Sequence, residues 1–546
     1  MRKIVLLLSL FLAAGSAIAQ NLEKVMVKKS HIPVLIERED NPIFYIRIDA
    51  PDYQNLTNIS FSFKDESSAD NIKSVKLYYS GTESAQRSKE LYYQPVEYIS
   101  RNTPGKTLSA NPSYSILVDQ IKKPKSSLLS FDCDVKLYTG VNYFWISIEM
   151  KPETSLLESF IADIESVKLD GQPQTIHKAA EKEKVHRMAI GVRHAGDDSS
   201  ASYRIPGMVT TNDGTLLGVY DIRYNSSVDL QEFIDVGLSR STDKGQTWEK
   251  MQKIMEFGEY DGLPKFQNGV GDPAILVDKE SGTIWCIAIW LHGVGNNRAW
   301  SNSGQGNSIN ETAQLMLTKS EDDGKTWSEP VNITNQVKDE SWFLLLQGPG
   351  NGITMSDGTL VFPIQYIDKD RMPHAGVMYS KDKGETWTIH NPAHSNTTEA
   401  QVVEVSEGEL MLNMRDNRGG SRSIYTTKDL GKTWTAHQSN RSALQESVCM
   451  ASLIKVEAKD NELGRDILFF SNPNTTSGRH SITIKASLDG GKTWKESNQL
   501  LLDEAAGWGY SSLSLVDNES VGILYESSQA HMLFQRIKIS DIIKEL

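Results

Sequence analysis

Apolar and polar residues alternate in short runs along the first part of the chain, over 24–29, 33–37, 44–50, 59–63, 74–79, 114–118 and 135–150. A period of two puts every second side chain on one face, so each run predicts a half-buried strand and not a helix. Clusters of Asn, Asp, Gly, Ser and Pro separate the runs, and this succession of short strands predicts a β-sandwich. From 172 to 185 the pattern turns polar, and the charge-dense stretch His177-Lys178-Ala179-Ala180-Glu181-Lys182-Glu183-Lys184 has no apolar face. A domain boundary is expected there, between an N-terminal domain over 20–185 and a second domain over 186–546.

The second domain is punctuated by five copies of one octet, Ser/Thr-x-Asp-x-Gly-x-Thr-Trp, ending at Trp248, Trp327, Trp387, Trp434 and Trp494. In each, Asp and Ser/Thr oxygens can hold the backbone of a tight turn, Gly supplies a positive φ, and Trp supplies an apolar anchor. The octet therefore reads as a hairpin staple, and its aspartates as structural. Asp243, Asp322, Asp382, Asp429 and Asp489 are separated by 79, 60, 47 and 60 residues, which suits one four-stranded sheet per repeat. A radial array of such sheets is a β-propeller. The 361 residues from 186 to 546 allow about 60 per sheet if there are six, which matches the spacing of the octets and favours six blades over seven. A polar loop over 293–310 interrupts the array and reads equally as a rim around a site or as a surface excursion.

Export is expected from the N-terminus, where Arg2 and Lys3 precede an apolar run over 4–14 and small residues end at Ala17-Ile18-Ala19. This is the pattern of a secretory signal cleaved before Gln20, directing the chain to the periplasm or outside the cell. The run is short for a membrane span, no later segment is apolar enough to be one, and no cysteine follows the cleavage point to take a lipid. Removal of 1–19 takes away two positive charges and lowers the net charge from −13 to −15, which argues against nucleic acid as a partner. Cys133, Cys286 and Cys449 have no disulfide or metal spacing and read as buried thiols. No nucleotide loop or metal pattern is present, so no cofactor is expected.

A propeller does not specify a function, and the chemistry has to come from residues outside the octets. Tyr203-Arg204-Ile205-Pro206 opens the second domain, Arg415 follows a strand-like run over 410–414, and Arg479 precedes another over 481–486. The octet resembles the Asp-box, and the tetrapeptide with the two later arginines resembles the signature of the sialidases of glycoside hydrolase family 33. That resemblance covers roughly two-thirds of the chain. It implies a six-bladed catalytic propeller preceded by a β-sandwich, and an exo-α-sialidase that removes terminal α-linked sialic acid from oligosaccharides, glycoproteins or gangliosides. It also implies an arginine triad of Arg204, Arg415 and Arg479.

Physical chemistry gives a reason for three arginines. Sialic acid carries a carboxylate on its anomeric carbon, and guanidinium groups bind carboxylates through paired, permanently charged donors that lysine cannot reproduce. In an empty pocket such cations repel, so acidic partners are needed. Glu526 matches the family's carboxylate that orients the first arginine. The resemblance places the nucleophile at Tyr510, in Gly507-Trp508-Gly509-Tyr510, and its paired carboxylate at Glu399, with Glu404 as a neighbouring alternative. A neutral phenol escapes the like-charge repulsion that a carboxylate nucleophile would meet at this anomeric centre, but it needs a base beside it. Asp229 is the expected acid/base, with Asp221 and Asp235 as alternatives. Arg223 and Asp272 resemble the pair that contacts the C4 hydroxyl of the sugar, although Gly271-Asp272-Pro273 is also a common turn.

Hydrolysis and transfer, including intramolecular transfer, use the same residues and stay open at this stage. So do an endo-acting polysialidase and a glycan- or protein-binding propeller without catalysis. The N-terminal domain reads equally as a carbohydrate-binding module or as a packing domain, because no aromatic platform is evident in its strands.

Overall fold

The computed structural model describes residues 24–82, 115–178, 183–295 and 297–546. The expected signal segment, Tyr114 and part of the expected boundary segment lie outside these residues.

The N-terminal strands form two stacked sheets. One is six-stranded and centred on Asn41–Ala50, Gly140–Met150 and Ile72–Thr82; the other is four-stranded and centred on Ala162–Leu169 and Asn55–Phe63. Alternate residues meet between them, with Phe44, Ile46, Leu77 and Ile146 from one sheet packed with Ile59, Phe61, Phe131 and Val167 from the other. The alternation over 135–150 is two strands, Leu128–Lys136 and Gly140–Met150, joined by a turn. Ala162–Leu169 is a further strand of the sandwich. The polar stretch after it is not a bare linker: Gln172–Pro173 extends the four-stranded sheet, and Ile176–Lys178 pairs in parallel with Val25–Val27 at the edge of the other. An edge strand is held by its backbone, so it needs no apolar face to belong.

Beyond residue 200, antiparallel sheets follow in chain order, led by Ser202–Thr210, Val270–Val277, Leu344–Gln347, Thr397–Ser406 and Ser452–Val456. A last sheet contains Ser511–Asp517, Ser520–Tyr525 and Met532–Lys538, continues through His186–Arg193, and is extended beyond it by Val34–Leu35 and Ser159–Phe160 of the N-terminal domain. Neighbouring sheets touch in order, and Ser511–Asp517 touches Ser202–Thr210, so the array closes on itself. Closure ties the start of this region to its end and packs the inner edge strands of the first and last sheets against each other at the seam.

Strand direction then decides what each end of the ring carries. In an antiparallel sheet, the start of the first strand and the end of the second lie at one end, while the turn between the third and fourth lies at the other. All five octets occupy that third turn. In the first, Gly245 N and Thr247 N donate to Ser241 Oγ and Asp243 Oδ1, both at 2.9 Å, and Thr247 Oγ1 donates to Asp243 Oδ2 at 2.6 Å. Trp248 Nε1 donates to Gly245 O at 3.1 Å, and its ring meets Phe534 of the last sheet edge-on at 5.2 Å. Gly245 takes a φ of 86° and Lys244 before it 61°, so two consecutive left-handed residues make the turn. The octets thus staple one end of the ring and leave the other free.

Candidate active site

At the free end, three leading strands begin with a break in their ladders. The pairing shifts between Arg204 and Gly207, between Gly271 and Ala274, and between Thr397 and Ala400. Pro206 and Pro273 sit inside the first two breaks, where a residue without an N–H removes no ladder bond. Ile205 has a φ of 62°, a conformation that β-branched residues rarely adopt, and Asp272 one of 56°. A bulge re-aims the side chain beside it. In these three bulges the re-aimed residues are Arg204, Asp272 and Glu399, and all three line one cavity of about 760 Å³. Arg415 from the end of Glu409–Asp416, Arg479 from the loop before Ile482–Ser487, Asp229 and Tyr510 complete its polar wall.

The cations of the cavity are held apart by different partners. Arg204 Nε donates to Glu526 Oε1 at 2.7 Å and its Nη2 to Glu526 Oε2 at 3.4 Å. Glu526 is fully buried and also accepts from Ile205 N and Tyr510 N, both at 3.0 Å. Burial alone would raise its carboxyl, but the Arg204 charge and these hydrogen bonds outweigh it and hold it below the usual range. Arg415 Nη1 donates to Glu399 Oε2 at 2.5 Å and to Tyr510 Oη at 3.1 Å. Arg479 has no carboxylate partner among the described residues. Its Nη1 donates to the Trp508 carbonyl at 2.9 Å, and its guanidinium lies 5.4 Å from the Tyr510 ring centre. Its remaining donors are therefore uncommitted to any acid.

Tyr510 Oη donates to Glu399 Oε1 in a short hydrogen bond. Burial, and then the Glu399 charge, push the phenol well above its ordinary range, against the pull of Arg415 and Arg479. The phenol is therefore neutral, with an acceptor already in contact. Glu404 is elsewhere: it accepts from Ser356 N at 2.7 Å at the stapled end of the ring.

Asp229 is half exposed and bound by three arginines: Arg223 Nη1 at 2.7 Å, Arg298 Nη1 at 2.7 Å and Arg204 Nη1 at 3.6 Å. Burial favours the neutral acid, but the Arg223 and Arg204 charges and the Arg223 hydrogen bond prevail, with Arg298 adding to them, and the carboxyl lies well below its usual range. The two alternatives lie behind the wall. Asp221 is fully buried, accepts from Arg223 Nε at 3.0 Å and Nη2 at 2.8 Å, and receives Asp272 N at 2.8 Å. Asp235 accepts from Tyr224 Oη at 2.9 Å and does not line the cavity.

Arg223 is buried too. Its donors are spent on Asp221, Asp229 and the Ser227 carbonyl, so it sits behind Asp229 and outside the cavity lining, whereas Asp272 is part of that lining. Burial and then the Asp221 charge push the Asp272 carboxyl well above its usual range against Arg223, which favours its protonated form.

Some lining residues were not singled out from the sequence. The loop over 293–310 is a rim: it contains the short helix Ala299–Asn302, is tied down by Ala299 N to Leu230 O at 2.8 Å, and brings Arg298 and Trp300 to the cavity. An isolated Arg and Trp in an otherwise Asn/Gly/Ser loop was the available signal. Trp508 lies under the Arg204 guanidinium, 5.0 Å from it. Gln365 and Asn417 also reach the cavity, from positions with no distinguishing pattern.

Comparison with known proteins gives the family. Residues 22–173 match the family model for the N-terminal domain of BNR-repeat neuraminidase, and residues 205–526 match that of the BNR repeat-like domain. A sialidase of Bacteroides fragilis is 60% identical over the full length of both chains. One of Paraclostridium sordellii is 33% identical over 60% of this chain and 81% of its own. The solved Hadza microbial sialidase Hz136 superimposes with a TM-score of 0.90 at 57% identity, covering 95% of this chain and all of that one. With identity of this extent over its whole length, the chain belongs to the sialidase family of BNR-repeat neuraminidases and is a glycoside hydrolase.

Proposed function

We propose that the protein is an exo-α-sialidase that hydrolyses terminal α-linked sialic acid with retention, through a covalent intermediate on Tyr510. The observation that carries this reading is the contact of the neutral Tyr510 phenol with Glu399, whose other oxygen is held by Arg415. As the phenol attacks the anomeric carbon, its proton passes to Glu399 and the bond to the aglycone breaks; Arg415 stabilises the anionic charge of the Tyr510–Glu399 pair until the new bond forms, when tyrosyl ether and protonated Glu399 are both neutral. Arg479 offers free donors to the substrate carboxylate beside Arg204 and Arg415, and protonated Asp272 can donate to a sugar hydroxyl.

The acid is Asp229, and its salt bridges set a condition. One oxygen is bound by the buried Arg223 and the other by the exposed Arg298. A leaving glycosidic oxygen can reach the carboxyl only by displacing Arg298. Losing that cation raises the carboxyl toward the protonated form that a general acid requires. The same group then activates the water that releases the sugar.

Incubation with sialyllactose of each linkage, with every product identified by NMR, tests the reading. Free sialic acid formed first as the α-anomer supports it. A first-formed β-anomer, a transferred glycoside, or an anhydro sugar would replace it with inversion, transfer or intramolecular transfer. Export to the periplasm or beyond is part of the same proposal. N-terminal sequencing of protein recovered from its native compartment should begin at Gln20.

A further inference from the structure

The outer face of the six-stranded N-terminal sheet carries a row of aromatic rings. Tyr45 is paired across the ladder with Trp145, and Trp145 with Tyr78. The three rings therefore lie side by side, and Tyr78 stacks on Trp145 at 4.2 Å with an interplanar angle of 11°. Their chain neighbours Phe44, Phe144 and Leu77 point the other way, into the sandwich. A flat aromatic row on the outside of a β-sandwich has the form of a sugar-stacking platform, but here it is covered: Tyr45, Tyr78 and Trp145 form one buried cluster with Trp508 of the propeller, each 6% exposed or less. The polar tips are satisfied within the N-terminal domain, Tyr78 Oη by Asp40 and Trp145 Nε1 by Ser115 Oγ, both at 3.0 Å.

Trp508 also bears on the cavity. Its ring lies under the Arg204 guanidinium, its carbonyl holds Arg479, and two residues later the chain reaches Tyr510. Gly509 between them has a φ of 86°, which lets Trp508 face the sandwich while Tyr510 faces the cavity. The same domain also holds the stretch just before this segment and the connection after Ser520–Tyr525. Glu504 is held by Lys184 Nζ at 2.9 Å and His31 N at 3.1 Å, and Gln529 by Arg38 Nη1 at 2.7 Å.

From this arrangement we infer that the aromatic row of the N-terminal domain is a positioning element of the active site, which seats Trp508 and through it sets Arg204, Arg479 and Tyr510. The inference rests on the roles proposed above for those residues. The row acts by packing, since a side chain locked by its neighbours holds its own contacts in register, and misplacement of about 1 Å at a reacting group costs on the order of a hundredfold.

The experiment uses the full chain with Tyr78→Ala, Tyr78→Phe and Trp145→Leu, with Phe131→Leu as the comparison. Phe131 stacks on Phe61 in the sandwich core at 5.9 Å, remote from Trp508. Thermal unfolding and kcat and KM on sialyllactose are measured for each. Tyr78→Ala and Trp145→Leu should lose roughly ten- to a hundredfold in kcat/KM while folded. Tyr78→Phe, which keeps the ring, should stay near the parent, and Phe131→Leu should lower Tm with kinetics of the folded protein unchanged. Should Tyr78→Ala fail to fold, Tyr78→Leu is read in its place. Parent-like kinetics in the folded Tyr78 and Trp145 variants, or equal losses in Phe131→Leu, would overturn the inference. Tyr510→Phe run in parallel separates the two claims: a fully active Tyr510→Phe would instead remove the catalytic reading on which it rests.

Discussion

The Tyr510 hydroxyl donates to Glu399 across 111 residues of chain, and Arg415 donates to both. Three groups from two sheets thus form one unit, in which the proposed base is in place before substrate arrives. Tyr510→Phe should lower kcat by several orders of magnitude. Glu399→Gln should do the same while leaving the arginines able to bind a sialic acid carboxylate. Mass mapping after treatment with a 3-fluoro sialosyl fluoride should locate the label on Tyr510. A label on any other residue refutes the assignment.

Arg298 and Asp229 give a pH signature. In Asp229→Asn, hydrolysis of natural sialosides should fall by about 10²–10⁴-fold, and that of an aryl sialoside, whose leaving group needs no proton, far less. Arg298→Gln removes one of the cations that hold Asp229 low. The acid then keeps its proton to higher pH, so the alkaline limb of the kcat/KM profile should move upward. An unmoved limb would mean that Arg298 does not act through Asp229.

Arg479 and Asp382 divide clamp from frame. Arg479→Lys keeps the charge and loses the planar fork, a change worth about 1.5–3 kcal/mol for a charge-assisted pair, so kcat/KM should fall roughly ten- to a hundredfold at unchanged Tm. Asp382 accepts from Thr386 N at 2.9 Å and Ser380 Oγ at 2.7 Å in the third octet. Asp382→Ala should lower Tm and leave the kinetic constants of the folded enzyme alone. Differential scanning calorimetry and steady-state rates for both variants decide between the two roles.

His186 makes the fold acid-sensitive near the domain junction. It is buried against Phe160 at 4.8 Å, neither ring nitrogen has a partner among the described residues, and burial lowers its pKa from 6.5 to about 3. A base depressed in the folded state binds protons more readily when unfolded. Its contribution is therefore present above about pH 6.5 and lost as pH falls toward 3. His186→Phe should flatten the fall in Tm between pH 6.5 and 4. An unchanged slope would assign the acid sensitivity to other groups.

Features that depend on local rules were legible in the chain itself. The octets revealed hairpins because turn chemistry is contained within eight residues, and alternation revealed strands because a period of two marks a half-buried face. Arg204, Asp272, Glu399, Arg415, Arg479, Tyr510 and Asp229 could be named through motif resemblance, and they do meet in one cavity. Strands such as Ile176–Lys178 escaped notice because edge pairing depends on backbone partners far away in sequence. The use of Arg223 was hidden for a related reason: its guanidinium is consumed by Asp221 and Asp229, and only the folded ring brings those acceptors around it. The same holds for Arg298 on Asp229, and for the aromatic row, whose rings are separated by up to 100 residues and become a surface only when three strands pair. Sequence alone determined which local conformations and which chemical groups were available. Tertiary structure decided which charges neutralise one another and which rings meet, because Coulomb attraction and packing act through distances in space that chain order does not encode.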